Sequence, residues 1–116
     1  MTNLPASLRA EMTEVWDTVP MDKIRERGSK DTTQKFLWRL RDGQLIESVL
    51  IPATKGTKGM RSSRLTLCVS TQVGCALACK FCASGLDGLK RNLTTGEIVG
   101  QVLLARNEAG RRIDNL

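Results

Sequence analysis

Between residues 64 and 97 a strand pattern, a cysteine-rich loop and a helix start follow one another, and this order constrains the fold most. Leu65, Leu67 and Val69 alternate with Thr66, Cys68 and Ser70, the period of a strand with one buried face. Gly74-Cys75-Ala76-Leu77-Ala78-Cys79-Lys80-Phe81-Cys82 then places three cysteines at C-x3-C-x2-C spacing. Thr94-Thr95-Gly96-Glu97 is a capping box. Ile98, Val99, Val102, Leu103 and Arg106 continue a helix predicted to stop at Gly110, and residues 111–116 read as the opening of another strand. The class is therefore α/β, and residues 64–116 form one β/α unit. One parallel unit can neither close a sheet nor cover both its faces. At roughly 30 residues per unit, a partial barrel of six units needs on the order of 180 residues. The chain is therefore expected to be a truncated fragment, cut at its C-terminal end.

Three thiolates from one short loop satisfy three irons of a four-iron cluster and leave the fourth iron open. An open position separates a metal site that does chemistry from one that only holds a fold. The alternatives are a zinc site using all four cysteines and inert buried thiols. Zinc sites usually pair cysteines as two C-x2-C hooks, and only one pair here has that spacing. The chain has no histidine to supply another soft ligand.

No apolar run approaches the length of a membrane span, and the N-terminus lacks the layout of a signal peptide. A cytoplasmic location is the default, and four cysteines in a reducing compartment argue for metal or catalysis over disulfides. The net charge is +6. Residues 1–50 balance eight Lys/Arg against eight Asp/Glu, so the surplus lies in residues 51–116. A basic half suits a polyanion such as RNA, or simply solubilises the surface.

Residues 1–52 read as an accessory region of one helix and a β-hairpin, residues 53–63 as a basic linker, and residues 64–116 as the start of a core domain. Leu4, Leu8, Met12, Val15 and Trp16 recur at helical spacing over residues 4–16. Residues 21–34 are polar, with a loop around Gly28. Residues 35–41 and 44–51 are the hairpin strands, and Asp42-Gly43 is a two-residue turn signal. That turn predicts Leu40 opposite Leu45 and Trp38 opposite Glu47. Phe36, Trp38, Leu40, Leu45, Glu47 and Val49 would then share one face. A carboxylate there has its charged form disfavoured, which tunes it for proton transfer near neutral pH. The other reading of Glu47 is an edge residue in water. Cys68 reads as a core cysteine or a fourth metal ligand. Lys90, Arg91 and the basic loop around residues 55–64 are candidates for phosphate contacts.

The aromatic Phe81 before the last cysteine makes the triplet similar to the radical S-adenosylmethionine (SAM) superfamily. Leu67-Cys68-Val69-Ser70-Thr71-Gln72-Val73-Gly74-Cys75, Lys80-Phe81-Cys82, Arg91-Asn92-Leu93-Thr94 and Glu97-Ile98-Val99-Gly100-Gln101-Val102 narrow it. They resemble the dual-specificity adenine carbon-2 RNA methyltransferases of the RlmN type, whose Cfr-type relatives methylate carbon 8. The hairpin ending Ile46-Glu47-Ser48-Val49-Leu50-Ile51-Pro52 extends the likeness, which is strongest over residues 65–102.

The resemblance implies a partial TIM-like barrel whose [4Fe-4S] cluster is held by Cys75, Cys79 and Cys82 and binds SAM. It implies methylation of 23S rRNA and tRNA through a methyl-cysteine and an adenosyl radical, with an electron donor to reduce the cluster. Cys68 matches the thiol that resolves the protein–RNA adduct, and Glu47 matches the proton acceptor. No residue here matches the methyl-carrying cysteine or the glycine-rich, glutamate-containing motif that holds the cofactor's amine. The fragment alone is expected to be inactive. The competing class is a catalytically inactive RNA-binding or metal-stabilised remnant.

Overall fold

A computed structural model describes residues 3–15, 21–29, 32–53 and 64–116. Its elements in chain order are α1 (Ala6–Val15), β1 (Met21–Arg27), β2 (Gln34–Leu40), β3 (Leu45–Pro52), β4 (Leu65–Cys68), β5 (Gln72–Gly74), β6 (Leu89–Asn92) and α2 (Thr95–Ala109), with one 3-10 turn at Ala83–Gly85. The fold is mixed α/β. Strands β1 to β4 form one sheet in sequence order, and β5 pairs with β6 in a second, two-stranded sheet. Most of the expected linker, and Trp16, lie outside the described residues. On either side of the linker, β3 and β4 are antiparallel neighbours.

The hairpin register differs from the expectation by one residue. Trp38 faces Ile46, Leu37 faces Glu47 and Arg39 faces Leu45. The connection is a three-residue loop, with Leu40 N donating to Gln44 O at 2.8 Å and Gly43 N donating to Leu40 O at 2.9 Å. A two-residue type I′ turn needs positive φ at both central residues. Here Gly43 has φ 81° while Asp42 does not share that region. Asp42 Oδ1 instead accepts from Gln44 N at 3.1 Å, which favours the longer loop. A one-residue slip moves every side chain of the return strand to the other face. The buried face is therefore Gln34, Phe36, Trp38 and Leu40 with Ile46, Ser48 and Leu50, and Glu47 points the other way.

Residues 21–27 were expected to be a polar stretch and are instead an edge strand. Only Met21 is buried there, so no apolar alternation marks it.

The core lies between the buried sheet face and α2. Trp38, Phe36, Leu50, Leu65 and Leu67 are the largest fully buried apolar side chains, each contributing roughly 1.5–3 kcal/mol. The Phe36 and Trp38 rings pack 5.4 Å apart. Ile98, Val102 and Ala109 cover them from α2 around the buried Ala105. α2 begins and ends as its sequence dictates. Thr94 and Glu97 complete the capping box, and Gly110 closes the helix at φ 65°. The chain then returns parallel to β4, with Thr66 bridging Asn115 and Leu67 N donating to Asn115 O at 3.0 Å. α1 is mostly exposed, with Met12 half-buried, as is Leu4 just before the helix.

Candidate active site

The cysteine loop runs from β5 to β6, and two glycines close its neck. Gly74 has φ 75°, and a Cβ there would lie 1.9 Å from the Gly88 carbonyl oxygen. Cys75 N donates to that same oxygen at 3.2 Å. Within the loop, Cys82 N donates to Cys79 O and Gly85 N donates to Cys82 O, both at 3.0 Å. Gly85 packs on the Ala78–Cys79 backbone, where a Cβ would meet Ala78 Cα at 3.0 Å. Ala78 itself takes φ 45°, an uncommon conformation for a residue with a side chain. The loop is thus folded back on itself, which a run of three ligands requires.

Cys75, Cys79 and Cys82 are free, half-buried thiols. Three thiols on one folded loop are the right donor set for a four-iron cluster with one open iron. Among the described residues, however, no three Cys, His, Asp or Glu side chains stand close enough to hold an ion. The loop collects the donors without closing their sulfurs on one point. Phe81 is 93% exposed, and Leu77 and Leu86 beside it are also open to solvent.

Glu47 comes to this loop through tertiary structure. A cleft of about 250 Å³ is lined by Glu47, Leu37 and Leu45 of the hairpin and by Gly74, Ala83 and Ser84 of the loop. Glu47 is exposed on the open face of the sheet. The carboxylate expected on the buried apolar face is instead exposed to solvent on the opposite one. Ser70 Oγ donates to the Glu47 carbonyl at 2.7 Å and fixes the backbone there. Cys68 is exposed and faces Val49 across β3–β4. Because Val49 and Glu47 are two residues apart, Cys68 and Glu47 share the open face.

Two groups of residues escaped sequence reasoning. The first centres on Gln101, which is fully buried. Its Oε1 accepts from Ser48 Oγ at 2.8 Å and from Ser70 N at 2.9 Å. Its Nε2 donates to Ser70 O at 2.9 Å. Trp38 Nε1 donates to Ser48 Oγ at 3.0 Å and completes the chain. The available signal was a glutamine on the apolar stripe of α2, between Ile98 and Ala105.

The second group is Arg91 with two carboxylates. Its Nη1 and Nη2 donate to the two oxygens of Glu97 at 2.9 and 2.8 Å, and its Nε donates to Asp42 Oδ2 at 2.8 Å. The hairpin tip is thereby tied to β6 and to the start of α2. The Arg91 guanidinium, with help from Thr94, lowers the Glu97 pKa to about 2. Asp42 is lowered too, first by the Gln44 N–H and then by Arg91. Arg91 was a candidate for phosphate contacts, and these two carboxylates occupy it. Lys90 is exposed at the mouth of a neighbouring cleft.

No family model matches the sequence. The chain superposes on the crystal structure of a radical SAM methyltransferase from Sphaerobacter thermophilus with a TM-score of 0.74 and 45% identity. That match covers 97% of this chain and 32% of the other. Fold and cysteine loop together define a radical SAM methyltransferase type of structure. The probable dual-specificity RNA methyltransferase RlmN of Akkermansia muciniphila is 53% identical over 116 residues, all of this chain and 32% of the relative. The Thermotoga neapolitana protein of the same description is 49% identical over 118 residues, again 100% of this chain and 32% of the relative. The dual-specificity RNA methyltransferase RlmN of Campylobacter jejuni is 45% identical over 113 residues, 93% of this chain and 32% of the relative. The chain belongs to the RlmN-type radical SAM methyltransferases, and it spans about a third of the length of the relatives it matches.

Proposed function

We propose that this chain is part of an RNA methyltransferase that acts in the cytoplasm on carbon 2 of an adenosine in 23S rRNA and in tRNA. The observation that carries the reading is the cleft in which the hairpin carboxylate Glu47 meets the cysteine loop. Residues 1–52 are the accessory region, and residues 64–116 contribute the first β/α unit of a partial barrel. The parallel bridge between Thr66 and Asn115 supports that unit, because it returns the chain beside β4 after α2.

Cys75, Cys79 and Cys82 would hold a [4Fe-4S] cluster, and the donor set fits it. With SAM at the open iron and an electron donor to reduce it, such a cluster would supply one-electron cleavage of the sulfonium bond. The remaining roles belong to this chain's own residues. Glu47 takes up the proton of the adenine carbon, from a position within the cleft. Cys68 is the thiol that resolves the protein–RNA adduct, and its exposed place on the same sheet face leaves it accessible. The methyl-carrying thiol is a further cysteine, not one of these four.

Anaerobic reconstitution with iron and sulfide tests the reading. The expected product is brown and holds about four irons per chain, and replacing Cys79 by Ala abolishes both properties. Tight zinc binding without charge-transfer absorbance would sink the cluster assignment.

A further inference from the structure

The first fifty residues carry no net charge, yet the sheet sorts their charges by face. The sorting depends on one extra residue. Lys23 faces Trp38, but the register then shifts and Arg25 faces Leu37, Glu26 faces Phe36 and Arg27 faces Lys35. Ile24 is the bulged residue. A regular strand would keep Lys23, Arg25 and Arg27 on one face, the face turned to α2. A bulge re-aims the side chains that follow it. Arg25 and Arg27 are thereby turned to the open face, beside Lys35 and Arg39. Glu26 is turned to the helix side, where it pairs with Lys23 at 3.1 Å and accepts from Gln34 Nε2 at 2.8 Å. Lys23 is further occupied by Glu108 of α2.

Among the described residues, no carboxylate pairs with Arg25, Arg27 or Lys35 on the open face. Among the described residues Arg39 pairs with Asp22 alone, at 3.3 Å, with both side chains more than half exposed. A pair that open is worth little and yields readily to a stronger anion. Moving from β1 toward β4, the same face passes from these four cations to Glu47 and Cys68. At about 4.8 Å between strands, four strands span about 14 Å, the length of about four stacked nucleotides.

We propose that the open face of the β1–β4 sheet is an RNA-backbone track, in which Arg25, Arg27, Lys35 and Arg39 hold phosphates and direct a nucleotide toward Glu47 and Cys68. The inference rests on the RNA-methylating reading above and adds the surface by which the substrate is held. Phosphate contacts position a nucleic acid without reading its sequence, so the track orients the RNA and leaves base choice to the cleft.

The test is fluorescence anisotropy of the chain with a labelled RNA hairpin of about 20 nucleotides carrying a loop adenosine, over a range of salt concentrations. Replacing Arg25, Arg27 and Lys35 together by Gln should weaken binding about tenfold or more. It should also flatten the log–log salt dependence by about 2. A control with Arg106, Arg111 and Arg112 replaced by Gln makes the same change in net charge at the C-terminal end of α2. It should stay within about twofold of the parent, as general charge attraction alone would not allow. Arg25→Lys/Arg27→Lys should retain most of the affinity, and thermal melts check that each variant is folded. Equal losses in the two triple variants would overturn the track while leaving RNA as the substrate. A parent chain that binds no RNA would overturn both.

Discussion

Gln101 clasps Ser70 from both sides, accepting from its N–H and donating to its carbonyl, each at 2.9 Å. A side-chain amide here does the work of a neighbouring strand, just where β4 has ended and its backbone would otherwise lie unpaired. Ser70 in turn holds the Glu47 backbone, so a residue buried on α2 sets the position of a carboxylate on the opposite face of the sheet.

Replacing Gln101 by Leu keeps the volume and removes the clasp. The buried Ser48 Oγ and both part-buried backbone groups of Ser70 lose a partner. The expected cost is about 2–4 kcal/mol, since a buried polar group without a partner costs more than a formed hydrogen bond contributes. Urea denaturation followed by tryptophan fluorescence reads the loss, because Trp38 belongs to the same chain of hydrogen bonds. A loss under about 0.5 kcal/mol would show that water replaces the amide.

The Arg91–Glu97 pair predicts a particular acid response. Glu97 is 13% exposed, and its pKa falls from an ordinary 4.5 to about 2 on folding. A depressed carboxyl contributes stability that is complete above the unfolded pKa and lost as the pH falls through the folded value. Stability should therefore decline between about pH 4.5 and 2. Glu97→Gln should be less stable at neutral pH and should show a shallower decline in that window. Denaturant midpoints at half-unit pH steps would show it; parallel curves for parent and variant would refute the pairing.

Gly74 should tolerate no side chain. Alanine would put a Cβ against the Gly88 oxygen, at a φ that L residues rarely adopt. The neck of the cysteine loop must then open. Gly74→Ala should lose stability by about 2–4 kcal/mol and should bind well under half the iron of the parent on reconstitution. Gly110→Ala, also at positive φ but with open space around its Cβ position, serves as the control. It should lose stability by only about 1 kcal/mol and keep its iron. Full iron loading of Gly74→Ala would show that the neck does not shape the site.

The sequence by itself determined the features that rest on near neighbours. The capping box at Thr94 and Glu97, the Gly110 stop and the C-x3-C-x2-C spacing each depend on residues a few positions apart, and local geometry suffices to express them. The alternation of β2 and β4 was legible for the same reason. Tertiary structure decided what depends on pairing. Asp42-Gly43 permits two loop lengths, and the choice between them fell to the Asp42–Gln44 contact and the Arg91 tie across the fold. That one residue of register carried Glu47 from the core face to the open face. β1 left no apolar signal because it is an edge with a bulge, and only its pairing with β2 reveals which face its arginines occupy. Gln101 became a clasp because α2 packs over the end of β4. A side chain's partner across 31 residues is set by the packing of whole elements, and no local pattern encodes it.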